Sequence, residues 1–336
     1  MSRNPYTKAP VNFLNRLMYI YRRNGWMLDI RRYIKNYSDV SIDRPIFLLG
    51  TQGGGLTLVS RMIRRNRSVV SISGNRTYWA GADEMKSVLG PILPRELKAV
   101  EYLKPYPPLV RIPRDWHCGI DRYVDIYRNT EKDVTAETKD KFRRILRWII
   151  GRHSHGMPGR FTDKSQIYTL KVSFLYELLK DCDPKFILIT RNPYAMCYRT
   201  AKGNSYTAES MELELSFSER LELACQHWNN YMKYALEDSK KVKAFLIIKY
   251  ESVLQDPETE LRKICTFTEL DFDNSMIPKA EDKVPFGSMR RNRWYPLNRN
   301  SNKKYLDEIK QEHIDLIVEH CKKYGEMFGY EKPRAL

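Results

Sequence analysis

A strand that runs directly into a glycine cluster and out of it into a helix leaves a chain few folds to choose from. Residues 45–66 read PIFLLGTQGGGLTLVSRMIRRN. IFLLG is a short apolar run of strand type, and LTLVSRMIRRN has helical spacing. Between them lie Gly50, Thr51, Gln52, Gly53, Gly54 and Gly55. Glycines let the backbone turn tightly enough for several N–H groups to face one anion. The following helix adds the partial positive charge of its N-terminus. The same residues also suit a tight turn that binds nothing, and the loop alone does not choose between the two.

What the loop lacks is equally informative. Against the nucleoside-triphosphatase pattern GxxxxGK[ST], Gly50, Gly55 and Thr57 fit. Leu56 stands where that pattern has the lysine that reaches the β- and γ-phosphates. No later strand ends in a carboxylate that would hold Mg²⁺: SVVSIS runs into Gly74, AFLIIK into Tyr250 and KFILIT into Arg191. Arg191 lies where open α/β sheets bind their ligands, and Asn192-Pro193 starts a new helix beside it. The pattern predicts a site for a multiply anionic nucleotide without a metal. The charge balance agrees. Against 41 Asp and Glu stand 58 Lys and Arg, and the resulting +17 favours an anionic partner: nucleic acid, an acidic membrane or a phosphorylated small molecule.

Strands alternating with helices predict an α/β fold, a single domain over residues 45–330 with a central, mostly parallel sheet flanked by helices. The expected strands are IFLLG, SVVSIS, YTLKVS, KFILIT and AFLIIKY. Helices are expected over FLYELLKDC, after Asn192-Pro193, over SERLELACQHWNNYMKYALEDS, from Asp256-Pro257, and over KKYLDEIKQEHIDLIVEHCKKYGEMF, stopped by Gly329. Residues 74–165 read as a loop- and helix-rich insertion that shapes a site.

Residues 1–44 form a basic, aromatic N-terminal segment. Phe13, Leu14, Leu17, Met18, Ile20 and Tyr21, then Trp26, Met27, Ile30, Ile34 and Tyr37, recur at helical spacing. That favours an amphipathic helix, broken near Asn24-Gly25 and packed on the core with a basic outer face. Peripheral contact of residues 12–37 with an acidic membrane is the other reading. The longest apolar runs are strand-sized, short of the about 20 residues a membrane span needs. MSRNPYTKAP has no apolar core and is not a secretory signal. Six cysteines, no two within ten residues, show no zinc or redox pair and point to reduced thiols in the cytoplasm.

Four segments, in order, resemble the sulfotransferase superfamily, whose donor is 3′-phosphoadenosine 5′-phosphosulfate (PAPS). PIFLLGTQGGGLTLVSRMIRRN is similar to the family's 5′-phosphosulfate loop and helix, and KFILITRNPYAMCYR to its 3′-phosphate strand, loop and helix. KYESVLQDPETELRKICTFTELDFD resembles the segment that follows the fourth strand, and RWYPLNRNSNKKYLDEI with CKKYGEMFGY the closing basic loop and helix. The resemblance implies that Gln52, Gly53, Gly54, Gly55, Leu56, Thr57 and Leu58 hold the 5′ end of the nucleotide. It implies that Arg191, with Arg199 or Thr200, holds the 3′-phosphate. Arg290, Arg291 and Arg293 with Trp294 are implied to close over it, although the same residues also suit a solvated basic loop or a nucleic-acid patch with interleaved aromatics.

Two positions depart from the family. Gly53 stands where a Lys or Arg usually steadies the bridging oxygen and the sulfonate, and Arg199 stands where a serine usually binds the 3′-phosphate. Arg61, Arg64, Arg76 and Lys171 are candidates for the missing cation, with Lys171 first because the family often has a lysine there. The general base is expected among Asp83, Glu84, Asp115 and His117, with Glu84 first and His117 second. Tyr78, Trp79 and Trp116 nearby would make sugar-stacking walls. His153-Ser154-His155 reads as a polar loop, and no metal site is expected. His313 and His320 read as structural. The implied activity is transfer of sulfonate from PAPS to a hydroxyl or amine of a carbohydrate, glycolipid or small metabolite, leaving adenosine 3′,5′-bisphosphate, with no nucleic-acid partner. The competing readings are a non-catalytic nucleotide binder and a P-loop kinase-like enzyme.

Overall fold

The computed structural model describes residues 5–75, 83–99, 102–103, 118–154, 158–203, 215–279, 282 and 297–334. The strands are β1 (Ile46–Leu49), β2 (Val69–Ser71), β3 (Gly74–Asn75), β4 (Arg160–Asp163), β5 (Lys185–Thr190) and β6 (Phe245–Lys249). They form one sheet in the order β3-β2-β4-β1-β5-β6. All neighbours are parallel except the short β2–β3 pair. The helices before β4 are α1 (Pro5–Asn24), α2 (Arg31–Ile34), α3 (Leu56–Ile63), α4 (Met85–Val88), α5 (Val124–Tyr127) and α6 (Ala136–His153). Between β4 and β6 come α7 (Val172–Leu179), α8 (Pro193–Ala201) and α9 (Phe217–Ser239). The last are α10 (Tyr250–Gln255), α11 (Pro257–Thr268), α12 (Lys303–Leu306) and α13 (Gln311–Met327).

Successive side chains of a strand point to opposite faces, and here both faces are covered. Phe47, Leu49, Phe186 and Leu188 pack on one side with α6, α7, α8, α9 and α13. Ile46, Leu48, Ile187 and Ile189 pack on the other with α3, α10 and α11. After β1 the chain therefore leaves for one face, and after neighbouring β5 it leaves for the other. Such a divergence of adjacent parallel strands opens a crevice at their carboxyl ends. The helix starts fix where the chain turns. Asn192 caps α8 by accepting from Ala195 N–H at 3.2 Å, with Pro193 first in the helix. Asp256 does the same for α11 through Thr259 N–H at 3.1 Å, ahead of Pro257. A buried carboxylate locks the far side: Asp238 accepts from both Nη atoms of Arg128 at 2.6 and 3.2 Å and from Ser173 N–H at 3.0 Å.

Three expectations need correction. YTLKVS is not a strand: Gln166–Leu170 is a 3-10 turn, and Lys171 leads into α7. The missing strand is β4, RFTD, inside the segment expected to be an insertion outside the sheet. It was illegible because Phe161 is its one apolar core residue and the residues beside it are polar groups with private partners. Arg160 donates to Arg44 O at 2.8 Å and Thr268 O at 2.8 Å, and Asp163 accepts from Met85 and Ser165 N–H, both at 2.8 Å. The N-terminal helix does break at Asn24, but it does not bury its apolar stripe. Phe13, Leu17, Tyr21, Leu28, Tyr33 and Ile34 are 47–79% exposed, while Trp26 and Tyr37 join the core. Periodicity reports an apolar face but not whether anything covers it. Among the described residues no helix is long and apolar enough to cross a membrane.

Candidate active site

The glycine loop closes β1 at the mouth of this crevice. Its first residue is tied down by Thr169, whose hydroxyl accepts from Gly50 N–H at 2.8 Å and donates to Gly50 O at 3.2 Å. Gly55 caps α3 at φ +100°, and a Cβ there would lie 2.1 Å from the Tyr250 ring, so the position admits only glycine. Gly54 N–H donates back to Thr51 O at 3.0 Å, and Gly55 O accepts from Leu58 N–H at 3.0 Å. The amides of Gly53, Gly55, Leu56 and Thr57 meet no acceptor among the described residues. Four free N–H groups at a helix start form a ready anion site. The side chains of Leu56 and Leu58 are buried in the core beneath, so their contribution to a ligand is confined to the backbone.

Arg191 enters from the end of β5 and is 5% exposed. Its Nη1 donates to Gly53 O at 2.7 Å, and its Nε and Nη2 both donate to Asn302 Oδ1, at 2.9 and 2.7 Å. The guanidinium lies 4.6 Å over the Tyr250 ring. Burial lowers its pKa, and Arg199 pushes the same way. Glu251 braces this arrangement from behind. It accepts from Asn302 Nδ2 at 2.5 Å, from Asn192 N–H at 3.0 Å and from the Tyr330 hydroxyl at 3.2 Å. Arg199, two turns along α8, is half-buried, and a Cβ on Gly53 would lie 2.7 Å from its Nη1. Thr200 is not free to bind, because its hydroxyl donates to Met196 O at 2.9 Å.

Glu84 lies where α4 meets the carboxyl end of β4, the strand next to β1. Its Oε1 is 2.6 Å from Lys164 Nζ and its Oε2 is 3.4 Å from Lys86 Nζ. Burial alone would raise its pKa, but the two lysines hold it down at about 2. Neighbouring Asp83 faces Lys164 at 3.4 Å and Arg64 at 3.6 Å, and burial raises its pKa. Lys171 is engaged elsewhere: its Nζ donates to Glu96 O and, at 2.8 Å, to Asn129 Oδ1, and burial lowers its pKa to about 8. Arg61 pairs with Asp282 at 3.5 Å. Arg76, Tyr78, Trp79, Asp115, Trp116, His117, His155, Arg290, Arg291, Arg293 and Trp294 lie outside the described residues.

A sequence profile of the sulfotransferase family matches residues 45–274, which is most of the chain. The chain belongs to the sulfotransferase family. This sulfotransferase shares its fold with the sulfotransferase domain of the Synechococcus PCC 7002 olefin synthase (TM-score 0.52, 17% identity, 89% of this chain and 99% of that one). It also resembles the sulfotransferase STF9 of Mycobacterium avium (0.58, 14%, 98% and 88%) and the sulfotransferase domain of the curacin biosynthetic pathway (0.54, 16%, 87% and 99%). No curated protein matches it. Sulfotransferases transfer sulfonate from PAPS, and this chain is an enzyme of that kind.

The structure thus brings the loop, Arg191 and Arg199 together, sets Glu84 one strand away, and ties Lys171 to other partners. Sequence reasoning missed Lys164, Asn302 and Glu251. Glu251 and Asn302 carried a signal, inside the KYES segment and the closing RWYPLNRNSNKKYLDEI segment, whereas Lys164 carried none. It also missed a trio of thiols. Cys197, Cys225 and Cys321 come from α8, α9 and α13, with sulfurs within 4.8 Å of one another, and burial pushes the Cys197 and Cys225 thiols up. Sequence spacing cannot show three residues gathered from three helices. Three buried sulfurs suit only a soft metal, and no other described donor joins them.

The Glu84 ion pair has a pH signature. An unfolded glutamate titrates near 4.5 and the folded one at about 2. The stability this carboxylate contributes is therefore fully present above about 4.5 and lost as pH falls toward 2. Glu84→Gln is expected to destabilise the protein at pH 7 by about 1.5–3 kcal/mol, the worth of hydrogen bonds between charged groups. Urea midpoints should show the gap closing across that acid range. A gap independent of pH would count against the ion pair.

Proposed function

We propose that this enzyme binds PAPS at the carboxyl ends of β1 and β5 and transfers its sulfonate to a hydroxyl of a carbohydrate, glycolipid or other metabolite, or to an amine. The observation that carries the donor half is the set of four unpaired loop amides flanked by two arginines; Asp163, the carboxylate that ends β4 beside β1, is taken by Met85 and Ser165 N–H. In the reaction the acceptor oxygen forms a bond to sulfur, and the bond from sulfur to the bridging oxygen breaks. The electron pair stays on the leaving 5′-phosphate, and the acceptor's proton passes to a base. The loop amides and the α3 N-terminus neutralise charge at the 5′ end, and Arg191 pre-forms the crevice wall that meets the 3′-phosphate. Leu56 in the lysine position of an ATP-binding loop disfavours a kinase.

Titration calorimetry with adenosine 3′,5′-bisphosphate, against ATP with and without Mg²⁺, tests this directly. Micromolar binding of the bisphosphate without metal is expected, and a preference for Mg²⁺-ATP would overturn the reading. Arg191→Ala is expected to weaken bisphosphate binding by about 1.5–3 kcal/mol, the scale of a charge-assisted hydrogen bond. Unchanged affinity would displace the 3′-phosphate from Arg191.

Glu84 is the base we assign, because it is ionised at neutral pH and lies beside the donor strand. Its pKa of about 2 makes it weak in the free enzyme, so exchange of Lys164 from the carboxylate to an incoming anion would accompany catalysis. Glu84→Gln should lower kcat about 10²–10⁴-fold, the usual worth of a general base, with bisphosphate affinity unchanged. The same loss in His117→Ala, with Glu84→Gln active, would assign the base to His117.

The exposed apolar face of α1 and α2 supports peripheral membrane contact. Residues 12–37 carry six Lys or Arg and one Asp, alongside the exposed Phe13, Leu17, Tyr21 and Ile34. Six free cysteines fit a reducing compartment such as the cytoplasm. Co-sedimentation with anionic phosphatidylserine vesicles, but not with neutral ones, is expected. Binding that survives Phe13→Ser with Leu17→Ser would argue against this face.

A further inference from the structure

Two guanidinium groups flank one loop residue. Arg191 donates to Gly53 O, while the Nη1 of Arg199 lies 2.7 Å from where a Gly53 side chain would begin. A basic residue at position 53 and an arginine at position 199 would claim the same space. Gly53 also sits at φ +82°, which other residues resist. Arg199 has no hydrogen-bond or ion-pair partner among the described residues. Each described alternative source of the missing loop cation is committed: Lys171 to Glu96 and Asn129, Arg61 to Asp282, and Arg64 to Asp83 and Ser73. Glu251, the nearest brace, is taken by Asn302, Asn192 and Tyr330.

Resting on the PAPS reading above, we infer that Arg199 serves the 5′-phosphosulfate and not the 3′-phosphate, standing in for the basic loop side chain that this enzyme lacks, and that position 53 is glycine to admit it. Gly53 belongs to the run whose amides, with those of Gly55, Leu56 and Thr57, meet no acceptor among the described residues, so a guanidinium against Gly53 stands beside the groups that would hold the 5′ anion. As the bond from sulfur to the bridging oxygen breaks, charge builds on that oxygen. Arg199 is placed to meet that charge, and Arg191 keeps the 3′-phosphate.

Competition calorimetry with adenosine 3′,5′-bisphosphate, 5′-AMP and 3′-AMP separates the two ends. Arg199→Ala should lose at least tenfold affinity for the bisphosphate and for 5′-AMP by a similar factor, with 3′-AMP unchanged. Loss for 3′-AMP with 5′-AMP spared would return Arg199 to the 3′-phosphate and overturn the assignment, as would no loss for any ligand or equal loss for all three. Failure of the wild-type protein to bind the bisphosphate at all would instead overturn the PAPS reading.

Discussion

The site depends on a buried guanidinium whose three hydrogen bonds within the described residues all go to uncharged oxygens. Arg191 donates three N–H groups to the Gly53 carbonyl and the Asn302 amide oxygen. Its one carboxylate neighbour, Glu251, reaches it only through Asn302. Neutral acceptors hold the side chain in place without cancelling its charge. A direct ion pair would have offset the burial penalty more fully and left less field for a ligand. Arg199 is close enough to lower the pKa of Arg191, so the two guanidinium groups give the crevice a positive field. The charge is held ready for a partner rather than consumed internally.

That design also decides what was legible beforehand. β1, its glycine loop and β5 with Arg191 were readable because each couples an apolar strand to an unusual residue at its carboxyl end. The caps at Asn192 and Asp256 were readable because side chain and proline act within one turn. β4 was not, because Arg160 and Asp163 replace apolar packing by hydrogen bonds to backbone groups from distant segments. Lys171 misled for a related reason: a lysine next to a β-branched run looks like a strand end, but its partners Glu96 and Asn129 are invisible until the chain folds.

The loop itself shows the limit of reading positions singly. Gly53 looked like the loss of a functional cation, and Arg199 looked like an odd replacement for a serine. In space the two are one feature, because the volume surrendered at one position is occupied from the other. The same holds for Glu84. Its chemistry is set by Lys164 and Lys86, and the strand that carries Lys164 up to it was the one the sequence concealed.

The bonds around Arg191 join partners 138 and 111 residues apart in the chain, and Glu251 reaches Tyr330 across a further 79. No local segment contains a working fragment of this crevice. The loops that link its parts must close before any of those bonds form, so the crevice matures late in folding. A nucleotide seated there would act as a reversible crosslink between the first strand and the closing helices. Its binding free energy would be felt as resistance to opening of the whole domain, not of the loop alone.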